Sequence, residues 1–290
     1  MQKVSIIRAN DSTDIAVRTS AGLVGGLDIN KDDTVVLKPN ICNSKNPAGM
    51  VNTDIRVIES VVELVKEYGC EIKIVESDNI SGTADRRVKE SGYLDFFNEL
   101  GVEFLNLSND DFIEYSVADT ILRIPLTVTE ADYFINIPKI KTCAHTLVTL
   151  GIKNLYGVFQ RRSKGKLHKY LDEILPFLAS TIRNDLIIVD GLTCMEGNGP
   201  VIGTPRCLDV IISGKNLVSV DSVCSMIMGY NPGEIPHIAL SAAKGLGPTS
   251  LDEIEIIGTD LGEFTDGFEP PYSLRATLGS LKSIKDIYLG

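Results

Sequence analysis

The sequence predicts an α/β fold, a mostly parallel, Rossmann-like sheet flanked by helices. Three observations carry that expectation. Between residues 34 and 107, short β-branched runs alternate with amphipathic helical stretches, and strand–helix–strand–helix–strand order implies parallel pairing through right-handed crossovers. Several of the runs end directly in polar residues, at the strand ends where open parallel sheets bind their ligands. With 290 residues, 43% hydrophobic and 23% charged, the chain can bury the core such a sheet needs. It does so as one domain over 1–290, or as two α/β subdomains with a cleft between them that divide softly near 110–130.

Residues 34–37 (TVVL) form a strand stopped by Pro39, within Lys38-Pro39-Asn40. Residues 54–68 read as a helix. Ile55, Ile58, Val62 and Val65 recur at three- and four-residue spacing, Thr53 or Asp54 caps the start, and Gly69 ends it. The next strand, 71–76 (EIKIVE), runs into Ser77-Asp78-Asn79. A second amphipathic helix spans 84–100 with a break at Gly92, and 102–107 is a third strand. Residues 121–128 form a weaker edge strand, whereas 132–137 (DYFINI) is a buried strand that delivers Pro138-Lys139. A helix at 170–182 precedes the strand 185–189 (DLIIV), which runs straight into Asp190. Residues 208–213 and 217–220 read as two strands around a turn at Gly214. Helices follow at 221–229, with Asp221 as its N-cap, and at 236–245, where His237 is a helix-start residue. The last strand is 253–257, and the apolar tail packs on the body.

Composition excludes several function classes. No apolar run approaches the ~20 residues of a transmembrane helix. The opening MQKVSIIRAND turns polar after two isoleucines, so no signal peptide is expected and the location is cytoplasmic. A formal charge of −11 and a pI near 4.8 argue against nucleic-acid binding. Six cysteines without a CxxC pair argue against a zinc finger or an iron–sulfur cluster held by this chain.

Against that acidic background stands one basic segment. Residues 138–169 hold Lys139, Lys141, Lys153, Arg161, Arg162, Lys164, Lys166 and Lys169, two of the three histidines, and no Asp or Glu. Such an island attracts anions whatever the net charge. The 161–166 part reads as a mobile basic loop, solvated or closing over an anion, but Lys139, Lys141 and Lys153 lie among apolar residues. The turn around Gly151 would expose backbone N–H groups beside Lys153, an arrangement suited to phosphate or carboxylate. Packed against Leu150 and Leu155, Lys153 would have a depressed pKa, suited to a nucleophile or general base, with pairing to a structural carboxylate as the alternative. His145 and His168 are candidate proton shuttles or metal ligands.

Four strand ends then suggest one shared cleft: Lys38 and Asn40, Glu76 and Asp78, Lys139 and Lys141, and Asp190. Glu76 and Asp78, two apart in extended chain, point the same way. They could orient the lysines, bind a hard cation or transfer protons, with a cap or turn equally open for Asp78. The turn-rich stretch 190–205 adds Glu196 as an acid or base and Asn198 as an amide donor.

Four segments together resemble the family catalogued as domain of unknown function 362. They are LKPNIC (37–42), IPKIKTCAHTLVTLGIKNLYG (137–157) with a later His168, VDGLTCMEGNGPVIGTP (189–205) and VDSVCSMIMG (220–229). The resemblance covers nearly the whole chain but implies little about activity. Many relatives resemble iron–sulfur proteins through an appended ferredoxin module. That module is absent here, so a cluster would have to come from a separate ferredoxin-like partner. The order of His145, Lys153 and His168 is also similar to that of the lactate-racemase-like family, where the lysine holds a nickel-pincer cofactor. This chain departs from that pattern at Glu76-Ser77-Asp78, where that family has a Gly-x-His-Arg segment.

The expectation is an enzyme for a small anionic substrate. Lys38, Asn40, Asp78, Lys139, Lys141, Asn154, Asp190 and Asn198 would bind it, and Lys153, His145, His168, Glu76 and Glu196 would do the acid–base chemistry. The alternatives are a metal- or iron–sulfur-linked redox protein using Cys42, Cys143 and Cys194, a nickel-pincer-type racemase or epimerase, and a non-catalytic anion-binding module.

Overall fold

The computed structural model describes residues 1–290 apart from 11, 161–163, 265 and 285–290, and apart from the side chains of 282 and 283. The chain runs β1 (Gln2–Arg8), α1 (Thr13–Leu23), β2 (Thr34–Pro39), α2 (Ile55–Lys66), β3 (Glu71–Glu76), α3 (Ala84–Glu90), α4 (Tyr93–Glu99) and β4 (Glu103–Asn106). It continues through β5 (Phe112–Val117), β6 (Thr120–Pro125), α5 (Leu126–Thr129), β7 (Tyr133–Ile137), β8 (Lys139–Cys143), β9 (Leu147–Thr149) and α6 (Gly151–Asn154). The remainder is α7 (Leu171–Thr181), β10 (Leu186–Glu196), β11 (Thr204–Gly214), α8 (Leu217–Ile227), α9 (Pro236–Ala243), β12 (Ile254–Gly258) and α10 (Leu274–Ile284).

One large sheet has the order β12-β1-β11-β10-β7-β2-β3-β4, with β8 and β9 branching from β10. Pairing is parallel throughout except at β1–β11, β10–β11 and β8–β9. Its strands are buried on both faces, so neighbouring residues feed opposite cores. Val35 and Leu37 pack in one cluster and Val36 in the other, as do Leu186 and Ile188 against Ile187 and Val189. The sheet takes strands from both sides of residues 110–130, where the β5–β6 hairpin forms a small sheet of its own. Gly92 breaks the 84–100 helix in two, with a left-handed φ of 79° that a side chain would strain.

Residues 217–220 are not a strand. They are the first turn of α8, capped by Asn216, whose side chain accepts from Ser219 N. Every residue from 217 to 225 is buried. A helix enclosed on all sides has no polar face, so its short apolar run reads equally well as a buried strand. The consequence reaches Asp221, which sits inside α8 and caps a different helix, as described below.

The fork positions the site. β7 pairs with β10 at Leu186 and Ile187, Pro138 interrupts the ladder, and β8 rejoins β10 at Asp190 and Met195. The chain then folds back through β9 and α6 over the carboxyl ends of β2 and β3.

Candidate functional site

A cavity of about 320 Å³ opens at these strand ends. Asn40 and Cys42 line it after β2, Glu76 from the last position of β3, and Lys141 and Cys143 from β8. Thr149, Lys153, Asn154 and Tyr156 follow on β9, α6 and the turn after it, with Lys164 and His168 on the segment before α7. Among the described residues, Glu76 is the one acidic residue in this lining.

Two buried ion pairs involve residues singled out in the sequence, and of their four members Glu76 lines the cavity. Lys38 Nζ donates to Glu76 Oε2 at 2.8 Å, to the Pro39 carbonyl at 2.6 Å and to Asn154 Oδ1 at 3.4 Å. Burial pushes the Lys38 ammonium below its ordinary range, against the opposing pull of Glu76. The pair sits under Gly157, where a Cβ would come within 2.6 Å of Glu76 Oε1 and 2.9 Å of Lys38 Nζ, so only glycine fits without displacement. Register places Lys139 beside Asp190, and its Nζ donates to Asp190 Oδ2 at 2.7 Å with both side chains fully enclosed. Asp190 also accepts from Asp54 N and Leu192 N, which makes it a strut between β10, β8 and the start of α2.

Three further lysines face the cavity. Lys141 Nζ donates to Asn40 Oδ1 at 2.8 Å and to the Val51 carbonyl at 2.7 Å, and lies 3.4 Å from Cys42 Sγ. Lys164 Nζ donates to Ser77 Oγ and the Tyr156 carbonyl, over the Phe159 ring. Burial pushes it down to about 7, with Glu76 opposing and Lys38, Arg87 and Lys153 adding. Lys153 Nζ stands 4.1 Å from the Tyr156 ring centroid, as spacing i, i+3 on a helical turn allows. Burial and then Lys141 lower it, against the neighbouring Cys143 thiol. Burial alone would raise Cys143, but the charge of Lys153 and hydrogen bonds around Thr146 outweigh it and hold the thiol down.

His145 and His168 meet across the cavity wall, ring centroids 4.1 Å apart, with Tyr156 5.9 Å from His168. Burial and Lys153 lower His145. Burial, His145 and Lys153 push His168 down to about 4, so the pair is neutral at neutral pH.

The expected backbone anion site at Gly151 is already filled. Gly151 N and Ile152 N both donate at 2.8 Å to the Asp221 carboxylate, which reaches across from α8. Burial raises Asp221 to about 7 against those two bonds.

Of the residues singled out in the sequence, Asn40, Glu76, Lys141, His145, Lys153, Asn154 and His168 share the cavity. Lys38 lies directly behind Glu76. Lys139, Asp190, Asp78, Glu196 and Asn198 are elsewhere. Asp78 accepts from Ala84 N and Asn106 Nδ2 at the start of α3. Glu196 pairs with Arg206 and accepts from Glu269 N, while Asn198 bonds Ser280 and Tyr272 N near α10. Cys42 and Cys143 line the cavity and Cys194 does not. Residues 161–163 of the basic loop lie outside the described residues. Tyr156 and Lys164 carried no sequence signal beyond their place in the basic stretch. Among the described residues, no group of three or more His, Cys, Asp or Glu is placed to hold a metal ion. Nor is any helix long and apolar enough to cross a membrane.

Fold and site together define an α/β protein with an open, mostly parallel sheet and a lysine-rich cavity at its strand ends. A family model described as domain of unknown function 362 matches residues 35–226, and the chain belongs to that family. The thylakoid-associated protein sll1697 of Synechocystis sp. is 29% identical over 265 residues, covering 87% of this chain and 82% of that protein.

Proposed function

We propose that the protein is an enzyme acting on a small anionic substrate, a carboxylate or phosphate, by lysine- and histidine-mediated proton transfer. The observation that supports this best is the convergence of Lys141, Lys153 and Lys164 on one cavity whose single acid among the described residues, Glu76, already pairs with Lys38. A bound anion supplies the missing negative charge and favours the protonated lysines. Lys141 and Lys164 hold the anion, with Asn40 orienting Lys141 and Asn154 in turn holding Asn40. Lys153 and the neutral His145–His168 pair carry protons, and Glu76 acts through Lys38 and by fixing the floor. Lys139 and Asp190 hold the framework.

The test follows small carboxylic acids in D2O by proton NMR, alongside thermal stabilisation by the same acids and by inorganic phosphate. Catalysed exchange of the hydrogen beside the carboxylate, lost in Lys153→Ala, is the expected result. Equal stabilisation of wild type and Lys141→Ala by every anion overturns the site assignment. Stabilisation without any exchange or turnover favours the non-catalytic binding module.

A second reading, the nickel-pincer-type enzyme, is favoured by the placement of His145, Lys153 and His168 on one cavity wall. Against it, Glu76, Ser77 and Asp78 are engaged with Lys38, Lys164 and the start of α3. Such a cofactor would be held by Lys153 and would supply the electron sink for racemisation. Metal analysis of the purified protein separates the readings, and it also tests the metal or iron–sulfur role of Cys42 and Cys143. We place the protein in the cytoplasm, without a nucleic-acid partner. Sedimentation of the chain with membranes on fractionation would contradict that location.

A further inference from the structure

The lysines around the cavity are not equivalent. Lys38 and Lys139 are spent on carboxylates, and Lys141 and Lys164 each donate to two oxygen acceptors. Among the described residues, Lys153 has neither a hydrogen-bond acceptor nor a carboxylate. Its Nζ rests on the Tyr156 ring and faces the cavity. Nothing ties down its lone pair once a proton leaves, and burial with Lys141 nearby makes that proton easier to lose, against the opposing pull of Cys143. Those are the requirements of an amine nucleophile. The adjacent His145–His168 pair can take up and return protons.

We propose that Lys153 forms a Schiff base with the carbonyl carbon of a small oxo acid whose carboxylate lies against Lys141 and Lys164. The inference rests on the anion-binding reading above and names its substrate class. The neutral Nζ adds to the carbonyl carbon, forming the C–N bond, while a neutral histidine takes one proton from the nitrogen and hands it to the carbonyl oxygen. The nitrogen's remaining proton follows by the same relay, and the hydroxyl leaves with it as water. One oxo acid and one amine thus become one imine and one water, with no redox change. Tyr156 stacks beneath the imine, and Lys141 and Lys164 hold the substrate carboxylate.

The experiment uses the full-length protein with pyruvate as the probe and borohydride as the trap, read by intact mass and peptide mapping. The expected result is one reduced adduct per chain, on Lys153, suppressed by excess inorganic phosphate and lost in Lys153→Arg. Should that variant fail to fold, peptide mapping and phosphate competition on the wild-type chain decide alone. If pyruvate raises the Tm but leaves no adduct on Lys153, the covalent step is wrong and the anion site stands. If pyruvate gives neither stabilisation nor adduct, both fail. Equal labelling of surface lysines, or a group already attached to Lys153 in the purified protein, also overturns the inference.

Discussion

Replacing Lys139 by methionine should destabilise the fold and leave the anion site in place. Both partners of the Lys139–Asp190 pair are fully enclosed and 2.7 Å apart. Breaking a buried pair by removing one partner costs about 3–5 kcal/mol, because the survivor is left as an uncompensated charge. After Lys139→Met, Asp190 still accepts from Asp54 N and Leu192 N, which puts that variant near the lower end, about 3 kcal/mol. After Asp190→Ala, Lys139 loses its one described partner and a buried and a part-buried N–H group lose their acceptor, so the loss reaches about 5 kcal/mol. At about 2–4 °C per kcal/mol for a domain of this size class, Lys139→Met lowers Tm by roughly 6–12 °C. Calorimetry and urea unfolding measure both variants, and phosphate or pyruvate stabilisation is read in parallel. A Tm within about 2 °C of wild type together with lost anion stabilisation would show that Lys139 is a ligand-binding residue and refute its role as a strut.

Four other outcomes follow from the geometry. Gly157→Ala drives a Cβ into Glu76 and Lys38 and should cost about 1–3 kcal/mol by urea unfolding, whereas Gly101→Ala, with open space around it, costs only its backbone strain. Lys164 titrates near 7 in the folded chain against an ordinary 10.5, so the unfolded chain binds more protons between those values. Its burial cost is therefore full below about pH 7 and relieved as pH rises towards 10.5, and Lys164→Met should flatten that part of the stability–pH curve. His168 is shifted the other side of neutrality, from 6.5 to about 4, so stability falls as pH drops through that window, and His168→Gln should remove part of the acid lability. Asp221→Ala orphans Gly151 N and Ile152 N, at about 1–3 kcal/mol for each by urea unfolding, and should loosen α6 and with it the placement of Lys153.

Much of the architecture was written in local pattern. The runs TVVL, EIKIVE and DYFINI are strands β2, β3 and β7, neighbours in one parallel sheet, because apolar residues in extended chain must be covered on both faces. The helix after β2 carried its own cap at Asp54 and its periodic face. Local pattern does not single out strands β1, β5, β8 and β9 or helix α1. Lys139-Ile-Lys-Thr-Cys alternates charge with apolar residues, and its partner β10 is some fifty residues away.

The site divides in the same way. The basic stretch, and the suspicion attached to Lys141, His145, Lys153 and His168, came from residue type and charge density, which are properties of the chain alone. Which lysines are paired, and with what, depends on groups far apart in sequence. Glu76 neutralises Lys38, Asp190 neutralises Lys139, and Asp221 fills the N–H groups at Gly151 that had looked open to a ligand. A charge becomes structural or free for chemistry according to the partner that folding brings within about 3 Å, since Coulomb energy in a low-dielectric interior rises steeply at contact. Only the tertiary structure could make that assignment, and it leaves Lys153 facing the cavity with its amine unclaimed among the described residues.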